Sequence, residues 1–328
     1  MRVPAPLVPL LLAASLTAGC GAAGASTSSH SVNLVAYSTP QKAYADLVAA
    51  FKATAAGKGS SFAQSFGASG AQSRAVIAGQ PADVVAFSLE PDLTKLVKAG
   101  LVAPGWNANP YHGMVTDSVV VLVVRKGNPK HITGWADLTR PGVKVVTPNV
   151  ASSGSAKWNL LAAYGAQLKL GKSPADALGY VTALLKHTVA QPDSGSKATA
   201  AFVGGVGDVL ISYENEAIAA KKSGADVDYV TPAQTILIEN PVAVTVKGNA
   251  TAKSFVQFLY TDAAQKIFAA HGYRPVVPAD FDATQFPAPA QLFTIADLGG
   301  WSKANAEFFD PSSGSITKIV NSVGGAGG

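Results

Sequence analysis

Short β-branched runs alternate with amphipathic helical stretches along most of this chain, and this alternation constrains its fold more than any other feature. The predicted strands are 32–36, 61–66, 82–87, 118–125 and 208–213. The predicted helices are 42–51, 91–99, 214–222 and 252–270, and an extended segment at 233–246 is interrupted at Asn240-Pro241. Alternating strands and helices form open, mostly parallel sheets that helices cover on both faces. The pattern therefore predicts an α/β fold.

Four turns from a strand into a helix are rich in serine, threonine and glycine. They lie at 37–40, 67–73, 152–156 and 193–197. The start of a helix leaves backbone N–H groups without partners, and the helix dipole adds about half a positive charge there. One such turn is typical of ordinary helix capping. Four of them, at the strand ends where ligands of open α/β sheets bind, predict an anion site built from uncharged donors.

The composition excludes several classes of protein. A hydrophobic content of 48% and a charged content of 14% over 328 residues fit a compact chain with one large core or two modest ones. The net charge of +5 is scattered without a block of like charges, which argues against nucleic-acid binding. The single cysteine excludes an internal disulfide, and the five histidines show no paired metal spacing.

The first twenty residues have the pattern of an export signal. Met1 and Arg2 give a positive start, and an apolar stretch follows at 7–16. Small residues before Cys20 resemble a bacterial lipoprotein processing site, although Thr17 stands where leucine is more usual. We therefore expect a signal peptide over 1–20 and a lipid on Cys20. The alternative is an ordinary secretory signal with a spare thiol.

Two loose segments are expected beside the folded part. Residues 21–31 are mostly glycine, alanine, serine and threonine, which is typical of a flexible tether. Residues 324–328 are similarly expected to form a loose C-terminal tail.

The sequence gives little support for a catalytic site. Ser194 and Lys197 match the S-x-x-K pattern of penicillin-recognising acyltransferases, but their S-D-N and K-T-G partners are missing from the sequence. A G-x-S-x-G elbow is also missing. We therefore expect no catalytic residue, no cofactor and no metal.

Several motifs together resemble the bacterial sulfate/thiosulfate-binding proteins, which serve ATP-driven (ABC) importers. The motifs are Val124–Pro129, Ser152–Asn159, Asp193–Gly195, Gly207–Ala217, Gly272–Pro275 and Leu292–Ile295. The resemblance keeps order and spacing from about Val32 to about Val320, so the combination is specific although each motif alone is weak.

The resemblance implies a two-lobed periplasmic-binding-protein fold (type II, or Venus flytrap). Each lobe would be an open mixed sheet flanked by helices, with two chain crossovers between the lobes. Lobe 1 would hold 32–117 plus 241–323, and lobe 2 would hold 118–240. The anion would lie between the lobes, stripped of water and held by uncharged donors.

Carried over residue by residue, the resemblance implies a set of sulfate-binding residues. They are Ser38, Ser69, Ser153, Gly154, Ser155, Ser196 and Tyr213. This chain departs from the family at Tyr213, where the family commonly has Trp, at Ser155, where it has Gly, and at Ser38, where it has Asp. The implied set contains no carboxylate to accept the proton of phosphate, which predicts discrimination against that anion.

The resulting expectation is an extracytoplasmic lipoprotein that captures sulfate or thiosulfate and does no chemistry. Lipidated Cys20 would anchor it to the outer face of the bacterial cell membrane. It would act as a monomer and deliver its anion to the permease subunits of an ABC importer. Two alternatives stay open: a binding protein for another tetrahedral oxyanion, such as molybdate or phosphate, and a cell-surface interaction protein that keeps the fold without transport.

Overall fold

The computed structural model describes Met1 and residues 30–324. The expected signal after Met1, Cys20 and most of the expected tether and tail lie outside these residues. The strands are β1 (Ser31–Tyr37), β2 (Ser61–Gly67), β3 (Val84–Ala86), β4 (Met114–Arg125), β5 (Val145–Val146), β6 (Thr188–Ala190), β7 (Val209–Tyr213), β8 (Val227–Val230), β9 (Gln234–Val244), β10 (Arg274–Pro275) and β11 (Gln291–Phe293).

Helices alternate with these strands over most of the described chain. They are α1 (Gln41–Ala53), α2 (Ser69–Ile77), α3 (Glu90–Lys98), α4 (Gly154–Lys169), α5 (Pro174–Lys186), α6 (Gly195–Val203), α7 (Glu214–Lys222), α8 (Ala250–Phe258), α9 (Asp262–Ala270), α10 (Gly300–Ala304) and α11 (Ser315–Gly324). Short 3-10 helices cover Trp135–Thr139, Pro278–Asp280 and Ala296–Leu298, and a π-helical turn covers Asn305–Phe309. Within residues 30–324, no helix combines the length and the apolar character that crossing a bilayer requires.

The strands join in the order β2-β1-β3-β9-β4-β7-β5-β6. The long strands β9 and β4 connect the first half of this sheet (β2, β1 and β3) to the second half (β7, β5 and β6). β9 lies antiparallel to β3 through Val242 to Val244, and its earlier residues pair with β4. β4 pairs with β9 up to Val119 and with β7 from Val120 onwards. Both strands therefore pass from one half of the sheet to the other, as the resemblance implies for the crossovers.

Each half has its own buried core. In the first half, aromatic side chains from α1, α8 and α9 pack on one face of β1 and β3, with Phe51 and Phe255 at 5.2 Å between ring centroids. In the second half, α4 lies under β4, β7 and β9. Nearly every residue of α4 from Gly154 to Gln167 is buried, as expected of a helix enclosed between other elements.

Residues from β11 onwards pack on the second half, whereas the expected boundaries put the whole of 241–323 in lobe 1; α8 and α9 lie in the first half as expected. β11 pairs with the first residues of β9, and Phe293 belongs to the same core as Trp158. Trp301 then stacks edge-on against Trp158, at 4.7 Å between ring centroids. This placement depends on buried aromatic rings that meet across the chain, and the local sequence pattern does not indicate which rings meet.

Two predicted elements differ from the structure. The helix expected over 252–270 is divided into α8 and α9, because Thr261 caps a new helix by accepting a hydrogen bond from the N–H of Ala264. The expected break at Asn240-Pro241 does not occur. β9 runs through Pro241, whose missing N–H falls beside a register shift of β4 between Met114 and Thr116.

Two glycines within helices provide a matched test of the C-terminal packing. A Cβ on Gly165 would lie 2.3 Å from Cε2 of Phe293, whereas a Cβ on Gly179 would meet nothing within 4 Å. We expect Gly165→Ala to lower the free energy of unfolding by about 1–3 kcal/mol through overpacking. Gly179→Ala should raise it by about 0.5–1 kcal/mol through helix propensity. Urea denaturation followed by circular dichroism measures both, and equal effects would contradict the packing described.

Candidate anion-binding site

Helices α2 and α4 begin against each other across the boundary between the two halves. A Cβ on Gly154 would lie 2.0 Å from Oγ of Ser88 and 2.6 Å from Cδ2 of Leu89. A Cβ on Gly70 would lie 3.0 Å from the carbonyl oxygen of Ser152. The absence of a side chain at Gly70 therefore permits the close approach of α2 and α4, and its absence at Gly154 lets α4 begin against the turn between β3 and α3.

Helix α6 begins beside the start of α4. A Cβ on Gly195 would lie 3.0 Å from Oγ of Ser155, 3.0 Å from Oε2 of Glu216 and 3.1 Å from Cγ2 of Thr39. These three side chains come from α4, α7 and the turn after β1. The starts of α2, α4 and α6 thus converge in one place, which we call the cradle. Its residues are Ser69, 153–155 and 194–196.

Two serine hydroxyls at the start of α4 are buried and bonded to each other. Oγ of Ser153 and Oγ of Ser155 lie 2.8 Å apart, and both residues are at most 5% exposed. The Ser153 side chain makes no capping bond to its own helix. Since only one of the two hydroxyls donates in their mutual bond, the pair keeps one hydrogen for a ligand.

Ser69 lies in the cradle, but its hydroxyl is already committed. Its Oγ donates to Oδ2 of Asp92 at 2.8 Å and accepts from the N–H of Ser88 at 3.1 Å. Oδ1 of Asp92 in turn accepts a hydrogen bond from Nζ of Lys95 at 2.8 Å. What α2 offers to an anion is therefore the backbone N–H groups of its first turn, which helix geometry leaves unpaired.

Ser196 and Ser38 are less buried than the other predicted residues. Ser196 follows the first residue of α6, and its Oγ lies 3.3 Å from Oγ of Ser194, which caps the helix by accepting from the N–H of Lys197. Ser38 is half-buried after β1, and none of the hydrogen bonds described joins its side chain to the cradle. Its neighbour Thr39 makes the contact with α6 instead.

Tyr213 ends β7 with a fully buried hydroxyl that keeps its proton. Its Oη has no hydrogen-bond partner within normal limits among the described residues, and neither has Oγ of Ser88. Burial raises the pKa of Tyr213 well above its ordinary value, and the nearby Ser88 hydroxyl lowers it only in part. A neutral phenol and a serine hydroxyl without partners are available as donors beside the cradle.

Residues 32–274 match the family model described as bacterial extracellular solute-binding protein. The chain belongs to this family. A sulfate-binding protein of Synechococcus elongatus is 42% identical over 94% of this chain and 93% of its own length. A thiosulfate-binding protein of Pseudomonas aeruginosa is 33% identical over 92% of this chain and 95% of its own.

Solved structures agree with this assignment. The sulfate-binding protein SubI from Mycobacterium tuberculosis H37Rv has a TM-score of 0.82 and 50% identity, over 85% of this chain and 99% of that chain. A periplasmic thiamin binding protein, 18% identical with a TM-score of 0.68 over 89% and 96% of the two chains, shares the fold alone. The predicted α/β periplasmic-binding-protein fold and the resemblance to sulfate/thiosulfate-binding proteins are confirmed.

Sequence reasoning missed some residues of this solute-binding protein. Ser88 follows β3 and precedes α3, so it occupies the same kind of turn as the four predicted ones and could have been found by the same rule. Thr39 has its Oγ1 3.1 Å from Oη of Tyr273, a residue more than two hundred positions away. No local signal in the sequence indicates that contact.

Glu216 brings a carboxyl to the edge of the cradle, where the predicted contact set has none. Its Oε2 accepts a hydrogen bond from Oγ of Ser212 at 2.9 Å, and burial raises its pKa to about 7. The titratable groups whose charge would interact with it are the phenols of Tyr37, Tyr213 and Tyr273, each kept neutral by burial. The cradle therefore combines uncharged donors with one carboxyl whose charge is easily removed.

A buried ion pair fixes the strand end that carries Tyr213. Arg274 on β10 donates from Nε and Nη2 to the two carboxylate oxygens of Glu214 at 2.6 and 3.0 Å. Both residues are at most 4% exposed. Because β10 pairs with β4, this bidentate contact ties the start of α7 to the crossover strand.

We expect Arg274→Met to lower the free energy of unfolding by about 3–5 kcal/mol, because Glu214 would be left buried without its partner. The control is Lys221→Met, which removes an exposed ion pair with Asp228 and should cost less than about 1 kcal/mol. Urea denaturation of both variants measures the difference. Equal losses would show that the buried pair contributes no more than a surface one.

Proposed function

We propose that this solute-binding protein captures sulfate in the cradle and delivers it to an ABC importer. The observation that carries the proposal is the convergence of the starts of α2, α4 and α6, which bring buried N–H and O–H donors together. Sulfate-binding relatives at 42% and 38% identity over most of the chain support the choice of anion. Thiosulfate has the same geometry and charge with one sulfur in place of an oxygen, so it is the second candidate ligand.

The donor types suit a doubly negative guest. Burying a dianion is unfavourable unless its oxygen atoms are fully hydrogen-bonded. Each hydrogen bond to a charged group contributes about 1.5–3 kcal/mol, so several of them reach the roughly 8 kcal/mol of micromolar binding after association costs. A fixed cation in contact would hold the anion more tightly and slow its release. Uncharged donors thus provide binding that stays reversible.

The proposed ligand residues are the predicted ones together with Ser88. Ser153 and Ser155 supply hydroxyls, and Gly154 with the first turns of α2 and α6 supplies backbone N–H groups. Tyr213 stands in the position of the family's Trp and donates its phenolic hydrogen. Because these groups come from both halves of the sheet, an anion between them would favour the closed arrangement of the lobes.

The test is a panel of melting curves with sulfate, thiosulfate, molybdate, phosphate and chloride. Sulfate at millimolar concentration should raise the melting temperature by several degrees, because a ligand that binds only the folded state stabilises it by mass action. Phosphate should raise it less, since the predicted contact set has no carboxylate to accept its proton; an equal rise with phosphate would instead indicate that the Glu216 carboxyl accepts that proton. An unchanged melting temperature with every anion would favour the interaction-protein alternative.

Two glycine-to-alanine variants test whether sulfate binds in the cradle. Gly154→Ala should weaken sulfate binding by about tenfold or more, because its Cβ would meet Ser88 and move the start of α4 away from the turn between β3 and α3. Gly105→Ala is the matched control, since a Cβ there meets nothing within 4 Å. Isothermal titration with sulfate compares the two, and equal affinities would place the anion elsewhere.

We also propose that the protein is held at the outer face of the cell membrane by a lipid on Cys20. The family description is extracellular, and the motif before Cys20 supports processing at that residue. Cys20→Ser should move the protein from the membrane fraction to the soluble extracytoplasmic fraction. Unchanged fractionation would instead favour an ordinary secretory signal.

A further inference from the structure

A large cavity opens beside the cradle and is not explained by a small inorganic anion. Its volume is about 810 Å³, which falls in the range that organic ligands occupy. One wall comes from α2 and α3 in the first half. The other comes from the start of α4 and from the segment between Trp301 and Asn321 in the second half. Of the cradle residues, Ser153 and Gly154 alone line this cavity.

Basic side chains outnumber acidic ones in the lining of this cavity by four to three. Arg74, Lys95, Lys98 and Lys157 all line it. Lys95 is paired with Asp92, whereas the other three take part in no ion pair among residues 30–324. An excess of basic side chains in a cavity attracts an anion.

The acidic residues at the cavity cancel part of this charge. Asp310 stays ionised, because the hydroxyls and N–H groups of Ser312 and Ser313 bond to its carboxylate and lower its pKa. Burial raises the pKa of Glu90. With Lys95 paired to Asp92, three basic side chains face two acidic ones, and the lining keeps an excess of one positive charge.

Two contacts hold the side chain of Lys157 in place. Its Nζ donates to Oδ1 of Asn305 at 3.1 Å and lies 4.8 Å from the centre of the Phe309 ring. Burial lowers its pKa to about 8, although the charge of Asp92 opposes this shift more than the charge of Lys95 adds to it. A negatively charged group in the cavity would stabilise the ammonium form, so its binding and the protonation of Lys157 favour each other.

Apolar side chains supply the rest of the surface. Trp301 and Phe309 present aromatic rings, and Val150 and Val320 line the same space. An apolar lining with a few convergent charged groups is the usual character of a site for an organic molecule.

We propose that this cavity binds a second ligand, an organic anion that carries a sulfonate or carboxylate group on an aromatic or aliphatic body. The charged group would lie near Lys157, Arg74 and Lys98, and the body would lie against Trp301 and Phe309. Because both halves of the sheet line the cavity, such a ligand favours the same closed arrangement as an anion in the cradle. Binding at the two places is therefore positively coupled.

The experiment is a fluorescence titration of the folded full chain with 1-anilinonaphthalene-8-sulfonate, an aromatic sulfonate that brightens in apolar surroundings. We expect saturation at one dye per protein. Benzenesulfonate should displace the dye, and acetate at the same ionic strength should not, since it lacks the apolar body. Sulfate should tighten dye binding. Displacement of the dye by sulfate would show that the cavity is only the entrance of the cradle and would overturn the proposal.

A matched pair of variants tests the role of charge. Thr94 lines the cavity from α3 and is half-buried. Thr94→Glu should weaken dye binding by about tenfold, and Thr94→Gln, of the same shape without the charge, should leave it nearly unchanged. Lys157→Met should weaken it similarly. Equal affinities for the two Thr94 variants would overturn the proposal.

The sulfate-dependent melting shift is recorded for the same proteins. It checks that the variants are folded and separates this proposal from the proposed function. A sulfate shift without saturable dye binding defeats only the second site. Saturable dye binding without a sulfate shift defeats only the cradle assignment.

Discussion

The approach of three helix starts to contact distance is the constraint on which the rest of the structure depends. The starts of α2, α4 and α6 point positive ends of helix dipoles towards one another, which is unfavourable until an anion lies between them. Glycines at 70, 154 and 195 make the approach possible, because a Cβ at any of them would come within 3.0 Å of a neighbouring atom. Packing in both halves has to supply the free energy that holds these ends together.

That packing is organised by the two crossover strands. β4 is apolar from Val119 to Val124 and pairs with β9, β7, β8 and β10, so it belongs to both halves of the sheet. The ion pair of Arg274 and Glu214 then fixes the start of α7 against it. Its effect is positional more than stabilising, because a buried ion pair is no better than a well-packed apolar pair. Tyr213 is held by this arrangement with its hydroxyl beside Ser88.

Much of the fold was predictable from local pattern. The strands and helices from 32 to 125 and from 208 to 222 follow the predicted boundaries closely, because β-branched runs and amphipathic periods are local properties. The division of 252–270 into two helices was missed, since a single capping threonine outweighed a continuous apolar period. The placement of residues 291–324 on the second half was missed as well, because it depends on rings meeting across the chain, such as Trp158 and Trp301.

The sequence by itself determined the fold class and the donor-rich turns, because strands, helices and caps are specified by neighbouring residues. It also determined that Ser153, Gly154 and Ser155 begin a helix after a strand. Only the tertiary structure decided how these donors are used. The hydroxyl of Ser69 is taken by Asp92, and the carboxyl of Glu216 comes to the edge of the cradle. Contacts between distant segments depend on packing in three dimensions, and no local pattern in the chain encodes them.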